Sequence, residues 1–128
     1  MHSRVSKSRR TLKVLEFAKD YDGFTLTTDV MEAAKNSDVV FTDTWASMGQ
    51  EEEKAVRMKV FKGYQVNDEL MAAALSKALI QHCLPAYRGQ EISDKIFEEH
   101  ADEIFDEAEN RLHVQKAVMI KLMSDKEI

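Results

Sequence analysis

Apolar residues recur along the chain at two intervals, and each change of interval marks a new element. From Arg9 to Asp20 the apolar positions Leu12, Leu15 and Ala18 fall at helical spacing, and Asp22-Gly23 stops the run. Phe24-Thr25-Leu26-Thr27 predicts a short strand, and Asp29 with Glu32 opens a second helix that ends near Asn36. Between Asp38 and Asp43, the run Val39-Val40-Phe41 predicts a buried strand ending in a polar turn. Ser47 and Gln50 stand in capping-box spacing before a helix over Glu51–Lys62, which carries Ala55, Met58 and Phe61 on one face. Gly63 closes it. Asn67 caps a helix through about Leu75, and Ala78-Leu79-Ile80-Gln81-His82 predicts the third strand. That strand runs into Cys83-Leu84-Pro85 and a polar loop through Gln90, after which Ser93 caps a helix to about His100. Ile104-Phe105 reads as a short fourth strand between acids. The last helix spans Glu107 to Met123, with Ala108, Leu112, Gln115, Met119 and Leu122 at alternating spacings of four and three.

Strands alternating with helices define an α/β chain: a three-layer parallel sheet of about four strands, flanked by helices joined through right-handed crossovers, Rossmann-like in type. At 128 residues the chain is expected to be a single domain. Residues 1–22 form a basic N-terminal segment and helix, and residues 23–128 the α/β body. Neither an internal repeat nor a linker interrupts it.

Charge changes this picture at one end. Arg4, Lys7, Arg9, Arg10 and Lys13 give +5 before the first acid, Glu16, so a chain of net charge −5 carries −10 beyond that point. The overall acidity argues against nucleic-acid partners. The basic, Ser-containing start imitates an organellar transit peptide, but an exposed first turn is the preferred reading. One cysteine excludes an internal disulfide and fits a reducing compartment. No apolar run reaches membrane-spanning length. The expected location is cytoplasmic, with no membrane partner.

Candidate chemistry gathers at three strand ends: Asp43 to Ser47, His82-Cys83, and Asp106-Glu107 leading to Asn110-Arg111. A parallel sheet brings such ends to one carboxyl edge, so residues distant in sequence converge there. A carboxylate, a loop hydroxyl and the free N–H groups of a helix start hold an ammonium and a carboxylate together, which is the chemistry of an amino-acid site. Each group alone also has a plainer reading. Cys83 serves as a small buried hydrophobe, His82 as a hydrogen-bonded structural imidazole, and Arg111 as the ion-pair partner of a nearby acid. One Cys and four scattered His make no zinc quartet, and no Gly-rich phosphate loop is present. No metal and no cofactor are expected.

Taken together, four stretches resemble the carboxyl-terminal, ornithine-binding domain of ornithine carbamoyltransferase. They are Asp43-Thr44-Trp45-Ala46-Ser47-Met48-Gly49-Gln50-Glu51-Glu52-Glu53, Tyr64-Gln65-Val66, His82-Cys83-Leu84-Pro85 and Phe105-Asp106-Glu107-Ala108-Glu109-Asn110-Arg111. Their order and spacing agree with the family from about Asp29 to Met123. By this resemblance Asp43, Ser47 and Met48 would hold ornithine, and Cys83 would contact its side-chain amine. Leu84 would offer a backbone carbonyl near the carbamoyl group, while His82 and Arg111 would polarise the carbamoyl carbonyl. Asp43, His82, Cys83 and Arg111 are thus the implied catalytic residues. The implied reaction is attack of the δ-amine on carbamoyl phosphate to give citrulline and phosphate.

The resemblance also implies missing parts. The family enzyme is more than twice as long, and its other domain binds carbamoyl phosphate through S-x-R-T and H-P-x-Q segments. H-P-x-Q does not occur in this chain; Ser8-Arg9-Arg10-Thr11 spells S-x-R-T but fits a basic helix start. An early strand ending in D-G-N-N is absent too, and Met1-His2-Ser3 would be a remnant of the family segment just after that strand. The expectation is the ornithine-binding half of an ornithine carbamoyltransferase, inactive alone. Its partners would be ornithine or a similar small amino acid, a separate carbamoyl-phosphate-binding chain, and a second copy docked on the sheet edge that the lost strands expose. A non-catalytic amino-acid-binding module and a relic fragment are the alternatives, and acylated ornithine or putrescine stays open as ligand.

Overall fold

The computed structural model describes residues 9–46 and 51–124. Its elements are α1 (Arg9–Ala18), α2 (Val30–Ala34), β1 (Val39–Thr42), α3 (Glu51–Val60), α4 (Asp68–Ala73), β2 (Leu79–His82), α5 (Asp94–Glu99) and α6 (Ala101–Met123). Three of the helices start where a short polar side chain captures free backbone N–H groups. Asp29 accepts from the Met31 and Glu32 amides, Asn67 from Leu70 at 3.0 Å, and Ser93 from Ile96 at 3.3 Å. All three caps are the residues the sequence nominates.

β1 and β2 run parallel, with Val39 opposite Leu79 and Thr42 opposite His82. Among the described residues the sheet has two strands rather than the expected four or so, and it is a small parallel sheet flanked by helices. Two predicted strands are absent, the first for lack of a neighbour to pair with and the second because it is helical. Residues 24–27 are irregular, with Phe24 and Leu26 exposed. Ile104 and Phe105 lie inside α6, which begins at Ala101 instead of Glu107. Ile104 is fully buried while Phe105 points outward, so the apolar pair that imitates a strand is one inward and one outward helical position. The acids around it favour the helix start.

Val40, Ile80 and His82 face the packed side of the sheet, where Ile80 joins Val66, Leu70, Ile92, Ile96 and Ile104 in the core. The other side is bare: Val39, Phe41 and Leu79 are 37%, 70% and 45% exposed. The two strand edges also differ. A Glu103 carboxylate oxygen on α6 accepts the Ile80 amide at 2.8 Å, while its second oxygen meets His100 Nδ1 at 2.8 Å. The outer edge of β2 is thereby occupied by a side chain. No strand pairs with the outer edge of β1 among the described residues.

Candidate strand-tip site

The parallel register dictates the site. With Thr42 opposite His82, the next residues, Asp43 and Cys83, emerge side by side from the two strand tips. The Cys83 thiol donates to Asp43 Oδ1 at 3.4 Å, and the same oxygen accepts the Thr44 amide at 2.7 Å. Both side chains face solvent. The loop after Asp43 is tied to α3: Arg57 Nη1 donates to the Trp45 carbonyl at 3.3 Å, and the Trp45 ring stacks on Phe61.

The Cys83 thiol holds its proton more tightly than an ordinary thiol. Its sulfur is partly shielded from water although the residue as a whole is exposed, and this desolvation is the leading cause. The hydrogen bond to Asp43 comes next, then the negative charges of Asp43 and, from α6, Glu107. Two carboxylates within electrostatic reach of the thiol favour a cation there. Removing the Asp43 charge should release the thiolate. At about 4 Å in water-like surroundings a unit charge is worth about 1 kcal/mol, so Asp43→Asn is expected to raise iodoacetamide alkylation of Cys83 near pH 8 about fivefold. An unchanged alkylation rate would show that Asp43 does not act on the sulfur.

Behind this exposed pair lies a buried one. His82 and Glu91 are both 0% exposed, with His82 Nε2 3.1 Å from Glu91 Oε1. The Leu84 amide donates to His82 Nδ1 at 3.0 Å, so Nδ1 is the acceptor and Nε2 carries the proton that Glu91 receives. Glu91 Oε1 also accepts the Tyr87 amide at 2.6 Å, and the Glu91 carbonyl accepts the Val66 amide at 2.8 Å. Leu84 has φ of 51°, an unusual conformation for a bulky residue, and the imidazole fixes it there by holding its amide. The pair braces the turn that carries Cys83.

The strand tips thus bring Asp43 and Cys83 together, with His82 beneath them. Arg111 lies on the exposed surface of α6, one turn beyond Glu107, without a hydrogen bond or ion pair to any described residue. Ser47 and Met48 lie outside the described residues. Sequence reading missed Glu91; the available signal was an acid set between the turn at Gly89 and the core residue Ile92. Glu107, expected at the third converging strand end, does act on Cys83, but it does so from α6 and not from a strand. Asp43, His82 and Cys83 do place potential ligand atoms within 4.8 Å of one another. Both imidazole nitrogens are already engaged by Leu84 and Glu91, so this cluster offers a cation two ready ligands and not three.

Two parallel strand tips, a carboxylate beside a thiol, and a buried imidazole under the turn define an α/β domain whose polar groups gather at the carboxyl edge of its sheet. The chain belongs to the aspartate/ornithine carbamoyltransferase family: residues 5–122 match that family's Asp/Orn binding domain. It is 54% identical over 109 residues to an ornithine carbamoyltransferase of Sulfurovum sp. (strain NBC37-1), covering 84% of this chain and 36% of that protein. Among solved structures, the anabolic ornithine carbamoyltransferase of Campylobacter jejuni is similar at 50% identity and a TM-score of 0.75, over 79% of this chain and 33% of that one. Ornithine transcarbamoylase from Giardia lamblia is similar at 28% identity and a TM-score of 0.71, over 92% and 36%. The chain therefore spans about a third of the length of the relatives it matches.

Proposed function

We propose that this chain binds ornithine and constitutes the ornithine half of a carbamoyltransferase, with the carbamoyl-phosphate half supplied from outside these 128 residues. The observation that carries this reading is the Asp43–Cys83 contact, which joins the two strand tips at 3.4 Å and lies within the field of Glu107. A free alkyl amine has a pKa near ~10.4, so presenting it neutral at pH 7 costs about 4–5 kcal/mol. In this reading Asp43 receives the side-chain ammonium, orients it and takes up its proton as the amine attacks. Cys83 and the Leu84 carbonyl steady the nitrogen, and Arg111 stabilises charge developing on the carbamoyl oxygen. His82 contributes from beneath, by holding the Leu84 amide. Ser47 and Met48 are further ligands of the amino acid in this reading. The lone thiol suits a reducing, cytoplasmic setting.

Calorimetric titration tests the reading. Ornithine is expected to release heat on the wild-type chain, and Asp43→Ala to weaken binding about 10- to 100-fold, the value of a charged hydrogen bond of about 1.5–3 kcal/mol. Silence with the wild type, or undiminished affinity in the variant, would overturn it. Running acetylornithine and putrescine alongside distinguishes recognition of the free α-amino acid from recognition of the δ-amine alone.

A further inference from the structure

The distal part of α6 lies bare. Its first two turns are held by β2 and α5, with Ile104 buried and Glu103 bonded to the Ile80 amide. From Glu109 to Met123 every residue is exposed. Seven large apolar residues between Leu112 and Met123 are half or more exposed, an area of more than about 600 Å², beyond what a free surface ordinarily leaves uncovered. Phe105, Ala108, Leu112, Gln115, Met119 and Leu122 alternate at intervals of three and four, the seam of a two-helix coil with Gln115 as its one polar member. Phe105, Leu112 and Met119 are each just over half exposed and Leu122 is 80% exposed, so the seam is open to a partner.

Charge says which partner fits. Asp102, Glu103, Asp106, Glu107 and Glu109 occupy the first nine residues of α6; Arg111, His113, Lys116 and Lys121 lie in the remainder, which holds no acid. Two such helices side by side in the same direction would set acid against acid. Reversed, each basic half meets the partner's acidic half, and the helix dipoles oppose as well. The seam permits that reversal in register. About a two-fold axis near His113 and Val114, Leu112 meets the partner's Gln115, Ala108 the partner's Met119, and Phe105 the partner's Leu122. Glu109 and Lys116 each follow a seam residue, Ala108 and Gln115, and so flank the seam on one side. The reversal brings Glu109 beside the partner's Lys116, twice by symmetry. The contact of Glu109 with His113 Nε2 at 3.3 Å is exposed and competes little. We infer that two copies of this chain pair through α6 as an antiparallel two-helix coil. The strand-tip site takes no part, so the inference stands or falls separately from ornithine binding.

Light scattering on the full 128-residue chain at tens of micromolar should give twice the 14.7 kDa chain mass. Met119→Glu, at an exposed position, should give a monomer with unchanged circular dichroism. Glu109→Lys and Lys116→Glu should each raise the dimer dissociation constant about tenfold or more, because two attractions become two repulsions. Both changes in one chain should restore the wild-type value. A monomeric wild type overturns the inference and leaves the apolar end of α6 to a different polypeptide. A dimer that survives Met119→Glu overturns it too, since the interface then lies elsewhere, and a double variant as weak as the singles refutes the antiparallel register. Should a variant fail to fold, carbodiimide cross-linking of mixed ¹⁴N and ¹⁵N wild-type chains replaces it. A mixed-isotope link between Glu109 and Lys116 supports the pairing, and its absence from cross-linked dimers overturns it.

Discussion

Given carbamoyl phosphate and ornithine, this chain by itself should form no citrulline above the uncatalysed background. The reason is quantitative. Bringing two reactants into line is worth about 7–11 kcal/mol, an effective molarity of about 10⁵–10⁸ M. In the proposed reading Asp43, Cys83 and Glu107 receive the amine, but among the described residues the only cation assigned to the carbamoyl side is Arg111, exposed on α6. One exposed guanidinium does not hold a phosphorylated second substrate in register. A rate at least about 10⁵-fold below that of a two-domain relative is therefore expected, measured as citrulline released. Addition of a polypeptide carrying the S-x-R-T and H-P-x-Q segments should restore product. Robust turnover without it would mean that this chain binds carbamoyl phosphate unaided.

The second large effect concerns stability. His82→Ala should lower it by about 3 kcal/mol or more, because the change strands a buried carboxylate. Glu91 would keep one oxygen on the Tyr87 amide, while its other oxygen, Oε2, already lacks a hydrogen-bond partner among the described residues. The Leu84 amide would lose its acceptor in the same step. For a domain of this size the midpoint of thermal unfolding should fall by about 10 °C. Glu91→Gln is the informative contrast: an amide keeps an oxygen for Tyr87 and His82 and removes the unpaired charge, so its loss should be much smaller. A His82→Ala chain melting with the wild type would refute the bracing role, leaving the imidazole free for the substrate-facing role that family resemblance implies.

Local chemistry made most of the architecture readable beforehand. Asp29, Asn67 and Ser93 announce helix starts because a cap is decided by a side chain and amides two or three residues away. The strands at Val39–Thr42 and Leu79–His82 were legible as short apolar runs ending in polar residues, and their parallel pairing put Asp43 against Cys83. What failed was whatever depends on a partner. A four-residue alternating stretch such as Phe24–Thr27 is a strand only when another strand lies beside it. Ile104-Phe105 satisfies a strand pattern and a helix pattern equally well over two residues, and only burial of Ile104 against the core separates them. The plainer reading of His82, a hydrogen-bonded structural imidazole, fits the buried pair, but its partners were hidden for a similar reason. Its neighbours in space are the Leu84 amide and a glutamate nine residues away, and sequence motifs do not say which ring nitrogen meets which.

The carboxylate of Glu103 that plugs the far side of β2 has a consequence for how copies of this protein behave when crowded. A sheet able to recruit strands at both margins is a template for endless stacking, the route to fibres. With one margin stoppered from within, any recruitment at the β1 margin ends after a single step. Crowding should therefore yield closed pairs in solution, not filaments.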